Sequence, residues 1–212
     1  MSSSHEVRAW LDEHGVSPAT PIDLVQKLPW STVRRFSTAE GVLYLKQCAP
    51  VQAFEVPLTV ALASRWPDRV PEVVAADPRR AWLLLRDGGN RLRELELDSF
   101  PLALRLYGEL QVGESRHVAE LLSLGVPDVR LPVIAAAYEP FFERRHGLEP
   151  DELGRLRTFA KRFHELCDEL AGFGLPDSIQ HDDLHDGNVF VRDGRPAILD
   201  WGDASVSHPL FS

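Results

Sequence analysis

The stretch His181-Asp182-Asp183-Leu184-His185-Asp186-Gly187-Asn188 sets three aspartates, two histidines and an asparagine between short apolar segments, and Asp200-Trp201-Gly202-Asp203 follows soon after. So many ionisable groups cannot form a core strand, because isolated charges are too costly to bury. Three readings stand: a solvated turn, a metal site, or the catalytic loop of a phosphoryl-transfer enzyme. The residues beyond the loop constrain its geometry. Val189-Phe190-Val191-Arg192 reads as a strand, Asp193-Gly194 is a strong hairpin signal, and Ala197-Ile198-Leu199 returns as the partner strand. The charged loop and Asp200 therefore sit at the two ends of one hairpin, close in space.

The upstream chain supplies the surroundings. Residues 5–14 read as an amphipathic helix through Val7, Trp10 and Leu11, ended by Gly15, and residues 22–28 as a second short helix stopped by Pro29. Residues 30–36 and 42–47 read as strands joined by a turn, and residues 70–75 and 81–85 as two more. Between these pairs, residues 54–66 form a helix with Leu58, Leu62 and Trp66 on one face. In the second strand Val42, Tyr44 and Lys46 share a face, and Leu43 and Leu45 the other. Lys46 alone reads as a lysine snorkelling from a strand end. Glu55 alone is explained by the helix dipole.

After Trp82-Leu83-Leu84-Leu85-Arg86 the chain breaks into Asp87-Gly88-Gly89-Asn90, and residues 92–173 are almost wholly helical in pattern. Helices are expected at 101–124, 133–145 and 150–171. The last carries an apolar stripe through Leu153, Leu156, Phe159, Phe163, Leu166 and Leu170. The expected organisation is a strand-rich lobe, residues 1–87, and a helical lobe, residues 88–212.

Composition excludes several classes. A net charge of −9 without a Lys/Arg cluster argues against a nucleic-acid partner. Two cysteines, Cys48 and Cys167, make neither a disulfide framework nor a zinc motif. The N-terminus lacks a signal-peptide pattern and no apolar run reaches membrane-span length, so a cytoplasmic location is expected, with no membrane partner.

The pattern His181-x-Asp183 to Asn188, a hairpin, then Asp200-Trp201-Gly202 follows the order of a kinase catalytic loop and metal-binding triplet. Phosphoryl transfer from ATP needs a carboxylate to accept or orient the acceptor's hydroxyl proton, and hard oxygen ligands for Mg²⁺. Asp183 fits the first role; Asn188 and Asp200 fit the second. Gly187 is expected to allow a backbone turn, and His181 to fix the loop by hydrogen bonding. A strand Lys46 followed by a helix Glu55 fits the pair that holds nucleotide phosphates. The break at Leu85–Asp87 is where adenine would meet backbone groups.

In Tyr44-Leu45-Lys46, Phe54-Glu55, residues 82–87, residues 180–189 and residues 198–204 the chain resembles the aminoglycoside phosphotransferase family, within the choline-kinase and protein-kinase-like superfamily. The resemblance implies an α+β, bilobal kinase-like fold, with a small antiparallel-sheet N-lobe and a mainly helical C-lobe. It also implies ATP- and Mg²⁺-dependent phosphorylation of a small-molecule hydroxyl, in an aminoglycoside-like antibiotic or related polar alcohol. No Gly-rich loop is present; Pro29-Trp30-Ser31-Thr32 stands in its place, and Ser31 and Thr32 are assigned to phosphate contact. Asp182, Asp186 and Asp203 are candidates for contact with a cationic substrate. Family members continue past the position of Ser212 with helices that complete the acceptor pocket, so those helices are expected to be missing here. Two alternatives stay open: a catalytically impaired nucleotide-binding module, and a hydrolase whose metal is held by His181, Asp182, Asp183 and His185.

Overall fold

The computed structural model describes residues 4–95, 100–144 and 147–210. Its chain clusters into two compact units, Met1–Gly108 with Asp183–Asp203, and Glu109–Asp182 with Ala204–Ser212. This division differs from the expected one at Asp87, because the charged loop from Asp183 and its hairpin belong with the N-terminal unit.

The first unit opens with α1 (Ser4–Glu13) and a five-stranded antiparallel sheet. Its strands are β1 (Asp23–Lys27), β2 (Ser31–Thr38), β3 (Gly41–Cys48), β4 (Val73–Asp77) and β5 (Trp82–Arg86), in spatial order β1-β2-β3-β5-β4. Helix α2 (Glu55–Arg65) joins β3 to β4. Period-two alternation divides the work of the two sheet faces. Leu43, Leu45, Phe36, Trp82 and Leu84 face α1 and pack with Val7, Trp10 and Leu11. The Trp10 and Trp82 rings meet edge to face at 5.3 Å. On the other face Leu83, Leu85, Val73 and Ala76 pack with Val56 of α2. Fully burying a side chain such as Leu11 or Leu45 is worth about 1.5–3 kcal/mol, so both helices are fastened by ordinary core packing.

The expected helix at residues 22–28 is corrected here: β1 is an edge strand paired with β2. All five of its residues are exposed, so no buried face writes a period into the sequence. The backbone ladder alone holds it.

The unit continues into β6 (Asn90–Arg91) and the first half of α3 (Phe100–Glu114), and is completed by β8 (Val189–Arg192) and β9 (Arg195–Ile198). Strands β6, β8 and β9 form a separate sheet in that order, with Val189 opposite Ile198. The expected hairpin is thus present.

In the second unit the single helix expected at 101–124 is broken. Helix α3 ends at Glu114, a 3-10 turn covers Ser115–His117, and α4 spans Val118–Ser123. Gly113 weakens the end of α3, and the Ser115 hydroxyl donates to the Val112 carbonyl, competing with the helix ladder. Helix α5 (Leu131–Phe141) starts two residues earlier than the expected 133–145 and stops sooner; Arg145 lies outside the described residues. Helix α6 (Pro150–Ala171) has its expected bounds, and the Glu149 amide donates to the Glu152 carboxylate at its start. Tyr138 of α5 stacks on Phe163 of α6 at 4.2 Å and donates to the Leu156 carbonyl. Phe159, expected in the stripe, is 43% exposed, so the apolar face of α6 is only partly covered. Strands β7 (Ser178–Gln180) and β10 (Ser205–Ser207) pair antiparallel. No described helix is long and apolar enough to cross a membrane.

Candidate active site

Lys46 is carried on the α2-facing side of β3. Across the ladder its row includes Val33 and Leu83, flanked by Ser31 opposite Cys48 and Leu85 opposite Tyr44. A lysine there cannot reach open water easily, and it is not snorkelling. Its Nζ lies 2.6 Å from Glu55 Oε1 and 2.5 Å from Asp200 Oδ1. Glu55 is 2% exposed and Asp200 54%, so the ammonium joins a buried acid to an accessible one. Burial works against the Lys46 charge, but Glu55 and Asp200 outweigh it and hold the ammonium well above its usual range. Burial is also the largest influence on Glu55, raising its pKa against the pull of Lys46.

Two further side chains belong to this cluster, Cys48 beside the pair and Gln52 beside Asp203, and neither is among the site candidates drawn from the sequence. Cys48, two positions after Lys46 on the same face, donates its thiol to Glu55 Oε2 at 3.3 Å. Burial and the Glu55 charge push that thiol far above its usual range, so Cys48 stays protonated as a donor. Gln52, buried before α2, donates from Nε2 to Asp203 Oδ1 at 3.1 Å. Gly202 fits tightly between these groups: a Cβ there would lie 3.0 Å from Gln52 and from Glu55 Oε2. The strand periodicity could have revealed Cys48. Nothing local could have revealed Gln52, whose partner is 151 positions away.

Asp200 follows β9 with φ of 66°, a left-handed conformation costly for a side chain with a Cβ. The fold holds it from both sides. Leu199 N–H donates to the Asn188 carbonyl at 2.9 Å, and the buried Trp201 indole donates to the Ile198 carbonyl at 3.2 Å. The first of these bonds brings the charged loop and Asp200 together at the open end of the β8–β9 hairpin. Within the loop, Asn188 Nδ2 donates to the Asp183 carbonyl at 2.9 Å and to Asp183 Oδ2 at 3.0 Å. With Nδ2 so used, Oδ1 is the Asn188 side-chain atom that could accept a metal. Asn188 Oδ1 and the accessible Asp200 carboxylate are hard oxygens suited to Mg²⁺, which takes one or two protein ligands and completes its shell from phosphates and water. A zinc cage is not formed: among the described residues no group of three or more His, Cys, Asp or Glu is placed to hold a metal.

Gly187 has a role other than the expected one. Its φ is not positive, so no special turn is needed. Instead the Arg93 guanidinium occupies the space where a side chain would sit, 1.9 Å from the position of a Cβ. Gly187→Ala is therefore expected to expel Arg93 and cost on the order of 1 kcal/mol, the worth of the hydrogen bonds it makes. Because both changes remove the same contacts, Gly187→Ala and Arg93→Ala should be strongly non-additive in a double-mutant cycle read by urea denaturation.

The remaining candidates separate as follows. Ser31 lies on the Lys46 face, whereas Thr32 lies opposite Gln47 and so belongs to the α1 face. Leu85 shares the Lys46 face and packs with α2 residues. The backbone of Asp87 is engaged: its N–H donates to the Val42 carbonyl at 3.1 Å, and Arg192 donates to its carbonyl at 2.9 Å. Asp186 accepts from Arg93 at 3.0 Å. In the second unit His181 is fully buried, and Asp182, with φ of 59°, accepts from the Ser205 hydroxyl.

A strand lysine paired to a helix glutamate, with a hairpin joining an Asp/Asn loop to a second aspartate, defines the class as a kinase-type phosphotransferase. The family model described as "Phosphotransferase enzyme family", APH, matches residues 2–211, and the chain belongs to that family. Its members are phosphotransferases. Similar solved structures include the GDP and kanamycin complex of APH(2")-IIia, at 18% identity and a TM-score of 0.65 over 98% of this chain and 75% of that one. Macrolide 2'-phosphotransferase type I is similar at 14% identity and a TM-score of 0.62, over 98% and 75%. A choline/ethanolamine kinase family protein from Mesorhizobium loti is similar at 18% identity and a TM-score of 0.59, over 98% and 67%. No curated protein matches the chain.

Proposed function

We propose that the chain transfers the γ-phosphoryl group of ATP, with Mg²⁺, to a hydroxyl of a small polar alcohol, aminoglycoside-like antibiotics among the acceptor classes. The observation that carries this reading is Lys46 Nζ bridging Glu55 and Asp200, with Asp200 tied across the hairpin to the Asp183–Asn188 loop. Mg·ATP supplies the electrophilic phosphorus. Glu55 holds Lys46 where its ammonium can meet the donor's phosphate oxygens, and Ser31, on the same face, adds a hydroxyl; the opposite facing of Thr32 removes it from this set. Asp200 and Asn188 Oδ1 hold the metal. Asp183 takes the acceptor's proton on its carboxylate as the acceptor oxygen bonds to the γ-phosphorus and the bond from that phosphorus to the β–γ bridging oxygen breaks, releasing ADP. Leu85, half-buried on the Lys46 face, offers an apolar contact for the nucleobase. Asp182, Asp186 and Asp203 each accept from a neighbour, yet all three remain exposed and accessible to a cationic acceptor.

The test is calorimetric nucleotide binding followed by an acceptor screen. ATP and GTP should bind with strong Mg²⁺ dependence, and Asp200→Asn should weaken that binding on the order of tenfold or more, as loss of a metal-site group does. Nucleotide consumption should then rise with one of kanamycin, erythromycin, choline or ethanolamine. Nucleotide binding indifferent to Mg²⁺ would refute the reading.

A further inference from the structure

His185 was not assigned a part in phosphoryl transfer, yet its ring is fixed more closely than a loop histidine needs. Its Nδ1 receives two donors, the Gly187 amide at 2.9 Å and Arg93 Nη2 at 2.7 Å. An atom that accepts from an amide and a guanidinium carries no proton of its own, so in the neutral ring the proton is on Nε2. That nitrogen faces Asp183 Oδ2 at 3.6 Å. The separation is longer than a hydrogen bond but close enough for the N–H dipole to act on the carboxylate. Asp186 does not favour the other tautomer: its Oδ1 is 3.7 Å from Nδ1 and is itself taken by Arg93 at 3.0 Å.

The consequence concerns the two oxygens of Asp183. Asn188 Nδ2 already donates to Oδ2, and the His185 Nε2–H approaches the same atom. The Asn188 amide and the edge of the His185 ring thus both occupy the side of Oδ2, and Oδ1 is the oxygen left open toward an acceptor hydroxyl. We propose that His185, locked in its Nε2–H tautomer by Arg93 and the Gly187 amide, is a positioning residue that makes Asp183 Oδ1 the working base. Arg93 precedes α3 in the chain, and its own amide donates to the Asp186 carbonyl at 3.2 Å, so the lock is anchored through backbone as well as side chain.

The inference rests on the reading of Asp183 as the base, and two measurements separate them. Nitrogen-15 NMR of histidine-labelled protein at neutral pH reports the tautomer without any substrate. The expected result is a pyridine-type Nδ1 and a pyrrole-type Nε2 for His185, assigned by comparison with His185→Gln; the reverse pattern overturns the proposal. The second measurement is Mg·ATP turnover with water as acceptor. His185→Ala should lower kcat on the order of 10²-fold, as misplacement of a catalytic group does, with the KM for ATP unchanged. His185→Gln, whose Nε2 can donate from nearly the same place, should recover most of that loss. If Asp183→Asn turns over like the parent, the base assignment fails. If Asp183→Asn is inactive while His185→Ala matches the parent, or glutamine rescues no better than alanine, the positioning proposal alone fails.

Discussion

Asp183→Asn is expected to lower phosphoryl transfer on the order of 10²–10⁴-fold, the range a positioned general base supplies. Nucleotide affinity should hardly change. The reason lies in what the amide keeps and what it loses. Asn188 donates to the Asp183 backbone carbonyl as well as to its side chain, and an asparagine can still present an oxygen to that donor. The loop therefore keeps its shape, and Asn188 and Asp200 keep their places. What disappears is the carboxylate, and with it the group that can take the acceptor's proton. The expected signature is a collapse of kcat with KM for Mg·ATP intact, which is how loss of an interaction made only in the transition state appears. A variant that loses nucleotide binding instead would show that Asp183 holds the metal, and a variant that keeps turnover would show that the base lies elsewhere.

The parts of this molecule that a sequence discloses are those written locally. The β8–β9 hairpin, with Asp-Gly at its turn, brought Asp200 to the charged loop without any long-range information. The same is true of α6, whose proline, acids and glycines mark both ends. Lys46 was ambiguous because a strand shows only which face a residue takes, not what covers that face. The cover is α2, and Glu55 sits on its first turn. Strand β1 was misread because an exposed edge strand has no buried side to set a period. Arg93, Gln52 and Ser205 were invisible for a different reason: each acts on a partner brought near only by the fold. Gly187 shows the limit most clearly: the sequence suggests a backbone reason for a glycine there, whereas the side chain that fills its Cβ space, Arg93, lies elsewhere in the chain.

Glu55→Ala should be the most destabilising single change at the site. Truncating one partner of a buried ion pair costs about 3–5 kcal/mol, because the other charge stays behind in a poorly solvated place. Lys46 would keep Asp200 at 2.5 Å, and Asp200 is half exposed, so the lower end of that range is expected. Cys48 would also lose its acceptor. The double variant Lys46→Met/Glu55→Leu removes both charges and should regain most of the lost stability in urea denaturation, since apolar residues of similar volume often replace a buried pair without loss. Mg·ATP binding should not return with it. That split decides what the pair is for: if stability and nucleotide binding recovered together, Lys46 and Glu55 would be core packing and nothing more. A pH profile adds an independent check. Because the folded pKa of Lys46 is raised above its unfolded value of 10.5, the lysine's share of the stabilisation is present in full below that value and is lost only as pH rises through the folded one. The Lys46 contribution should therefore be flat across neutral pH, so a pH dependence of stability found there would come from another group, Glu55 with its burial-raised pKa first among them.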